Sequence, residues 1–329
     1  MRAALLALGL LLPSATPDPG LLQARYDGAR DAVESALARG DGAAAARAQR
    51  DVAWAERHDQ RPVSWRGARD VPVFSVPAVS RATRVHDPAL ASRLAAIGAG
   101  YRAWSAFWVH DLATGRWAGW NADASFPAAS TVKLAVLAEA LRRGHGPRSP
   151  LWYDLRQLTG WSSNLAANRV TGRVGGEASV RAALRRLGAR SSTYPGPYRA
   201  GTSVAADAPK PPPHGHTRVT TAHDLGRVLY GLHAAAAGNR HVQRTTGLTR
   251  ARARHAIALL VRSAPGGPIQ PLTGVPTAHK EGWISDTRAS AAIVYGRTPR
   301  IVVLLAYRPG ITDAEARALG RRVVAALDG

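Results

Sequence analysis

The sequence predicts an α+β domain whose antiparallel sheet is built from both ends of the domain and is flanked by helices. Strand-like segments at 105–110 and 116–120 come first, and others return at 277–282, 289–295 and 301–307. Helical patterns fill the middle, and strands separated from strands by a run of helices are typical of this class. With 46% hydrophobic residues among 329, the chain has ample apolar material for a core.

The predicted elements follow local patterns in chain order. A helix at 87–101 precedes the first two strands, and a second helix at 130–143 ends at Gly144. A helix beginning at Ala222 has Thr221 as its predicted cap and Asp224 near its positive end. The remaining predicted helices lie at 155–158, 165–173, 177–187, 250–262 and 313–327, and a long loop rich in Pro, Gly and Ser occupies 190–218.

Three regions are expected along the chain. Residues 1–16, MRAALLALGLLLPSAT, have the layout of a short secretory signal, which predicts a secreted or extracytoplasmic protein; a frayed N-terminal helix is the alternative. Residues 17–85 read as a helical hairpin followed by an extended, proline-containing connector. Residues 86–329 form the predicted main domain, and beyond the N-terminus no run approaches the ~18 apolar residues of a membrane-spanning helix.

Composition restricts the partners that we expect. The formal charge of +22 favours attraction to an anionic cell envelope, whereas the absence of a basic run interleaved with aromatic residues argues against a dedicated nucleic-acid function. The lack of cysteine excludes disulfides and thiolate metal sites, and the histidines show no convincing ligand spacing. We therefore expect no metal, and we also expect no cofactor and a monomeric protein.

Lysine is scarce, which makes each lysine informative. Only three of the 44 basic residues are lysine, namely Lys133, Lys210 and Lys280. Arginine does not lose its proton at accessible pH, whereas a desolvated lysine can become a neutral amine and act as a base. Lys133 lies in an otherwise apolar helical run, where burying a charge is costly. It is therefore a candidate for chemistry.

Two of these lysines fall in short motifs, and a third motif lies between them. Ser130 and Lys133 form S-x-x-K at the start of a helix, where the spacing of three places both side chains on one face. The loop TGWSSN supplies Ser162 and Asn164, which alone could be a plain helix cap. Lys280 precedes Glu281 and Gly282 on a predicted strand. The three motifs together are much more specific than any one of them.

In this order the motifs resemble those of the penicillin-recognising serine acyl-transferases, closest to the class A β-lactamases, over roughly residues 86–329. The resemblance implies a β-lactamase/transpeptidase-like fold in which Ser130 attacks an acyl carbonyl, Lys133 activates it and Ser162 passes a proton to the leaving nitrogen. It also implies a set of substrate-binding groups. Asn164 orients the substrate amide, Lys280 stabilises negative charge, Gly282 lets the substrate approach, the N–H groups of Ser130 and Trp283 form an oxyanion hole, and Arg288 binds a carboxylate.

Three departures from the family pattern bear on function. The loop at 190–218 contains no Glu to activate a deacylating water, and the equivalent position falls near Tyr198; Asp207, His214 and His216 are candidate substitutes. Glu281 stands where the family carries Thr or Ser, so either its carboxylate points elsewhere or the substrate lacks an acid group there. The interval from Ser130 to Ser162 is short, which predicts a reduced helical subdomain and a more open cleft.

The motifs and the departures from the family pattern leave three functions open. The resemblance favours a serine hydrolase that opens β-lactam or related amide bonds through a Ser130 acyl-enzyme. The departures favour a D,D-peptidase, an amidase or a slowly deacylating penicillin-binding protein. A non-catalytic ligand-binding or sensor module is the alternative from a different class, against which retention of both motif lysines argues.

Overall fold

The computed structural model describes residues 85–160, 162–198, 216–263 and 266–327 without interruption, together with 41–58, 76–77 and isolated positions between 25 and 39. The chain divides into two compact units, Met1–Arg61 and Pro62–Gly329. The expected signal at 1–16 lies outside the described residues, as does nearly all of the expected connector. Within the described residues no helix has the length and apolarity needed to cross a membrane.

The helices with described bounds are Gly42–His58 (α1), Pro88–Ala99 (α2), Lys133–Arg142 (α3), Trp152–Gly160 (α4), Asn164–Arg173 (α5), Gly176–Arg186 (α6), Ala222–Ala237 (α7), Arg240–Thr246 (α8), Arg250–Val261 (α9) and Asp313–Ala325 (α10). The strands are Val85–His86 (β1), Trp104–Asp111 (β2), Arg116–Trp120 (β3), Phe126–Pro127 (β4), Val219–Thr220 (β5), Thr277–Ile284 (β6), Thr287–Tyr295 (β7) and Pro299–Tyr307 (β8).

In the first unit, α1 begins after Asp41, whose carboxylate accepts a 2.9 Å hydrogen bond from the Ala44 N–H. Arg25 pairs with Asp51 at 2.6 Å and lies 3.9 Å from the centre of the Trp54 ring. Two segments of this unit therefore meet on α1, as a helical hairpin requires. The hairpin itself stays a prediction.

In the second unit, a six-stranded sheet has the order β1-β3-β2-β8-β7-β6. Its central strands come from opposite ends of the domain, since β2 pairs antiparallel with β8, and the predicted α+β architecture is therefore confirmed. One detail differs, because the two-residue β1 pairs parallel with β3. The strand β6, which carries Lys280, lies at the edge of the sheet.

Helices cover both faces of the sheet, and alternate residues of one strand enter two separate cores. Trp108 on β2 packs in the core beneath the helical middle of the chain, whereas Phe107 and Val109 pack on the other face with residues of α2 and α10. On β8, Val303 and Val302 divide in the same way. Because both faces are covered, β8 is apolar almost throughout.

The helices α3 to α9 are here called the helical half of the domain. The two-stranded sheet of β4 and β5 and the cap of α7 fix where this half meets the six-stranded sheet. β4 pairs with β5, and the Ala128 N–H donates to the Arg218 carbonyl at 2.9 Å just before the residue predicted to be the nucleophile. Thr221 caps α7 through a 3.0 Å bond from the Asp224 N–H, as predicted. The segment leading to Ser130 is thereby held against the chain that returns at residue 218.

Candidate active site

Ser130 lies in a tight turn that leads into α3. Successive bonds of the i to i+3 type join the Thr131 N–H to the Ala128 carbonyl at 2.9 Å and the Lys133 N–H to the Ser130 carbonyl at 3.1 Å. In such 3₁₀ geometry the side chains three residues apart eclipse one another. The regular α-helix therefore begins at Lys133 rather than at the expected Ser130. The spacing of three residues in such a turn still places Ser130 and Lys133 on one side of the backbone.

Ala129, immediately before Ser130, has a left-handed backbone with φ of 44°. This conformation is unfavourable for a residue with a Cβ atom and costs on the order of 1 kcal/mol. The carbonyl of Ala129 accepts a hydrogen bond from the Tyr198 hydroxyl at 3.3 Å. Packing thus holds a strained residue next to the candidate nucleophile, an arrangement common at active sites.

The Lys133 side-chain nitrogen is fully buried and points to the second motif. Its Nζ donates to the Ser162 carbonyl at 2.5 Å and to Asn164 Oδ1 at 2.6 Å, and it lies 3.4 Å from Ser162 Oγ. The structure therefore brings together Lys133, Ser162 and Asn164, three of the residues that the sequence predicts for the site.

The serines of the second motif make different contacts. Ser163 is the cap of α5, since its Oγ accepts a 3.0 Å bond from the Ala166 N–H. Ser162 has a left-handed backbone with φ of 60°, and its hydroxyl faces the two lysines rather than the helix end. Ser163 therefore fits the helix-cap interpretation, whereas Ser162 contacts the two lysines and its role in the site stays a prediction.

Lys280 reaches the same hydroxyl from the sheet. Its Nζ donates to Ser162 Oγ at 2.8 Å and to the Glu281 carbonyl at 2.8 Å. Complete burial lowers the pKa of Lys280 to about 8, although the nearby Glu281 carboxylate opposes that shift. The ammonium is therefore mostly charged at neutral pH and titrates within an accessible range.

Gly282 on β6 passes close to the start of the nucleophile turn. A Cβ atom at this position would lie 3.0 Å from the Ser130 nitrogen and 3.1 Å from the Ala128 carbonyl oxygen. Only glycine permits this approach of the two backbones without displacing one of them. Next to it, the Trp283 side chain is exposed at the rim.

The Glu281 side chain is engaged on the side of β6 away from Lys280. Its Oε1 accepts bonds from Ser290 Oγ at 3.0 Å and pairs with His279 Nδ1 at 3.0 Å, while Oε2 has no hydrogen-bond partner among the described residues. Gly267 crosses over this carboxylate so closely that a Cβ there would lie 1.9 Å from Oε2. Glu281 nevertheless lines the same cavity as Lys280, so both alternatives from the sequence stay predictions.

The Arg288 guanidinium is held by neighbouring groups. Its Nε donates to Asp313 Oδ1 at 2.5 Å, and its Nη1 donates to the Ile284 carbonyl at 2.6 Å. Arg288 lines the same cavity as Lys280, so a carboxylate-binding role remains a prediction that would require competition with Asp313.

The cavity has a volume of about 340 Å³ and extends from Ser162 and Lys280 along the outer edge of β6. Beyond Gly282 and Trp283 it reaches Arg288 and the first turns of α10. An edge strand leaves alternate backbone N–H and C=O groups without sheet partners. Such a cleft suits an extended substrate that aligns along the strand.

Tyr198 lies near the position that the sequence assigns, by residue counting alone, to the family's loop glutamate. Its ring centre lies 4.4 Å from Lys133 Nζ and 3.9 Å from the Arg218 guanidinium carbon. Asn168 fixes its backbone twice, accepting from the Tyr198 N–H at 2.6 Å and donating to the Tyr198 carbonyl at 2.7 Å. A phenol ring therefore packs beside Lys133, near the position where the resemblance implies a glutamate.

The other candidate bases of the loop have different placements. His216 Nε2 pairs with Asp286 Oδ2 at 2.8 Å, whereas Asp207 and His214 lie outside the described residues. Arg218 and Asn168, which hold Tyr198, were missed because single polar residues outside a motif give no sequence signal.

In the described part of the chain, no group of three or more His, Asp or Glu residues is arranged to hold a metal ion.

Comparison with known proteins agrees with this geometry. The family model described as "Beta-lactamase enzyme family" matches residues 89–150 and 145–327. A search of curated proteins finds no match.

Solved structures with the same fold include both β-lactamases and PBP-A. An acyl-enzyme complex of a PBP-A variant with penicillin G is 16% identical, with a TM-score of 0.59, and the match covers 74% of this chain and 98% of that one. A mutant of the ancestral class A β-lactamase of Gram-negative bacteria is 22% identical, with a TM-score of 0.57 and coverages of 73% and 98%. A β-lactamase from Sphaerobacter thermophilus is 17% identical, with a TM-score of 0.57 and coverages of 73% and 96%.

The family match spans well over half of the chain, and Lys133, Ser162, Asn164 and Lys280 meet beside the turn that contains Ser130; the chain belongs to the beta-lactamase enzyme family.

Proposed function

We propose that this protein is a serine hydrolase that forms an acyl-enzyme on Ser130 with a β-lactam or a related amide and releases the acyl group slowly. The observation that carries the proposal is the convergence of Lys133 and Lys280 on Ser162 Oγ, at 3.4 and 2.8 Å, beside the turn that holds Ser130. Such a pair of amines around one hydroxyl provides a path for a proton from the nucleophile to a leaving group.

The acylation step that we propose combines these contacts with the position of Ser130 in the adjoining turn. Ser130 Oγ bonds to the substrate carbonyl carbon while its proton passes to the neutral amine of Lys133. Lys133 returns a proton through Ser162 Oγ to the substrate nitrogen, and the C–N bond breaks as that nitrogen becomes an amine. Lys280 stays charged and donates to Ser162 Oγ, which keeps this hydroxyl oriented toward the leaving group.

Negative charge on the carbonyl oxygen needs donors during this step. We assign this role to the backbone N–H groups of Ser130 and Trp283, since Gly282 brings the two chain segments into contact. Ordered backbone donors require little reorganisation as the charge develops. Asn164 holds Lys133 through its Oδ1 and thereby orients the base.

Slow release follows from Tyr198. Hydrolysis of the ester needs a group that removes a proton from water, and the Tyr198 hydroxyl instead donates its own proton to the Ala129 carbonyl. The ring lies against Lys133, and its hydroxyl is bonded to the Ala129 carbonyl. Tyr198 therefore supports a long-lived acyl-enzyme, as in a penicillin-binding protein, over rapid β-lactam turnover.

The test uses the purified chain with a fluorescent penicillin and a chromogenic cephalosporin, beside the Ser130→Ala variant. Stable labelling that Ser130→Ala abolishes supports the proposal. Rapid multiple turnover of the cephalosporin identifies a β-lactamase instead. Absence of both labelling and turnover contradicts acylation by β-lactams and favours a D,D-peptidase with other substrates or a non-catalytic module.

We also propose export of the protein, on the basis of the signal-like residues 1–16. Expression of the full chain with a C-terminal tag, followed by N-terminal sequencing of the extracytoplasmic fraction, tests this. Cleavage near residue 16 supports export, and an intact N-terminus confined to the cytoplasm contradicts it.

A further inference from the structure

Three arginines meet on one buried carboxylate near the C-terminal end of α3. Glu139 is 1% exposed and accepts two 2.7 Å bonds from Arg142 and a 2.8 Å bond from Arg143. Arg186 of the neighbouring helix α6 donates through Nη2 to Glu139 Oε2. The three guanidinium groups, here called the arginine cluster, are 30%, 41% and 31% exposed and therefore face solvent in part.

The arginine cluster carries more positive charge than the carboxylate requires. Arg142 alone satisfies Glu139 with two bonds, so the two further guanidiniums leave an excess of two positive charges. Arg252 adds another guanidinium, which donates to the Arg142 carbonyl at 2.9 Å. A buried anion thus fixes several like charges side by side, which would repel one another without it. That arrangement is ready to bind a multivalent anion.

The surroundings strengthen the positive field. Between residues 133 and 263, every acidic side chain that the structure describes is buried except Glu177, and the sequence from 225 to 280 contains no Asp or Glu at all. Exposed arginines on the same half of the domain are Arg148, Arg173, Arg181, Arg185, Arg190, Arg240, Arg244 and Arg250. Uncompensated charge over such an area attracts polyanions over distances of about a Debye length, roughly 10 Å.

The chemistry of the surface distinguishes among polyanions. The exposed large hydrophobic residues of the described chain are Val85, Trp104 and Trp283, and none of them belongs to α3–α9. Binding of single-stranded nucleic acid uses aromatic stacking, and interfacial binding to a membrane uses apolar side chains. The described residues of the helical half offer neither, and its cations are distributed over several helices, which suits a flexible chain of phosphates.

We propose that the arginine cluster, with the exposed arginines of α5, α6, α8 and α9, binds a linear phosphodiester polymer of the cell envelope. Arg142 lies nine residues beyond Lys133 on one helix, roughly 14 Å at 1.5 Å per residue. The polymer therefore binds away from the catalytic cavity and holds the enzyme near the envelope without blocking it. This inference does not depend on the proposed acylation chemistry, but it rests on the proposed export of the protein.

The experiment measures fluorescence anisotropy of labelled poly(glycerol phosphate) titrated with the full chain at two salt concentrations. Arg143→Gln removes the most exposed member and should weaken binding about threefold, as expected for one partly exposed ion pair. The combined variant Glu139→Gln, Arg142→Gln, Arg143→Gln and Arg186→Gln removes the cluster without leaving a buried charge unpaired. It should weaken binding more than tenfold and flatten the salt dependence, because fewer counterions are released.

The control variant Arg102→Gln with Arg297→Gln changes the net charge by the same two units at exposed positions of the sheet half, and should alter binding less than twofold. Labelling by fluorescent penicillin is measured on every variant and should stay unchanged. Equal losses in the control and the cluster variant would overturn the site. Binding only to duplex DNA, only to phosphatidylglycerol vesicles, or equally well to inorganic phosphate would also overturn it.

Discussion

Lys280 Nζ donates a 2.8 Å hydrogen bond to Ser162 Oγ, although the two residues are 118 positions apart in the sequence. One lies on the edge strand of the sheet and the other in the loop before α5. This bond joins the second and third motifs, and Lys133 joins the first motif to the same serine. The site is therefore a product of the tertiary fold rather than of any local segment.

The first prediction concerns pH. Because burial lowers the pKa of Lys280 to about 8, its ammonium is present below that pH and is lost as the pH rises through it. Acylation by a carboxylate-bearing penicillin should therefore decline above pH 8. The Lys280→Arg variant, which stays charged, should lack this alkaline decline even if its maximal rate is lower. Stopped-flow labelling between pH 6 and 10 measures both profiles, and identical profiles would remove Lys280 from the step.

The second prediction separates basicity from charge at Lys133. The Lys133→Arg variant keeps a cation but cannot supply a neutral amine, so acylation should fall by about a hundredfold to ten-thousandfold. Lys210→Arg, the same change at the third lysine, should leave the rate unaltered. Circular dichroism of the Lys133 variant checks that it folds. Full activity in a folded Lys133→Arg protein would refute the general-base role.

The third prediction concerns release of the acyl group. Tyr198→Glu replaces the ring beside Lys133 with a carboxylate able to activate water, and the half-life of the labelled protein should shorten about tenfold or more. Tyr198→Phe keeps the ring and loses only the bond to the Ala129 carbonyl, so its adduct should persist. Gel fluorescence after removal of free penicillin follows the decay. A short-lived adduct in Tyr198→Phe would show that the ring does not limit release.

The fourth prediction tests the close approach at Gly282. In Gly282→Ala the new methyl group would press on the Ser130 nitrogen and the Ala128 carbonyl, so the two backbones must separate. We expect a loss of about 1–3 kcal/mol in stability and at least a tenfold loss of acylation. Gly296→Ala is the matched control, because its Cβ would meet only Val275 at 4.0 Å. Thermal melts and labelling rates should single out Gly282; equal effects at both sites would argue against the contact.

Much of the fold is readable from local sequence patterns. The strand 116–120 and the start of α7 at Ala222 are where the sequence predicts them, since alternation and a Thr cap act locally. Helix α8 was not predicted, because its sequence RHVQRTT is short and rich in β-branched residues. The pairing of β4 with β5 escaped it as well, because two-residue strands give no periodic signal.

The site was predictable as a set of residues but not as a geometry. Spacing placed Lys133 with Ser130, and the scarcity of lysine singled out Lys280. The orientation of Glu281 depends on Ser290 of the adjacent strand, which only the sheet register brings opposite. In the same way, the ring of Tyr198 lies over Lys133 because Asn168 and Arg218 hold it there, and long-range packing of this kind leaves no trace in a motif.

The most direct test of the account is intact-protein mass spectrometry after incubation with penicillin G, followed by peptide mapping. We expect one added penicillin per chain, attached to the peptide that contains Ser130, stable over many minutes and absent from Ser130→Ala. An adduct on a different residue, or an unmodified protein with every β-lactam tried, would contradict it.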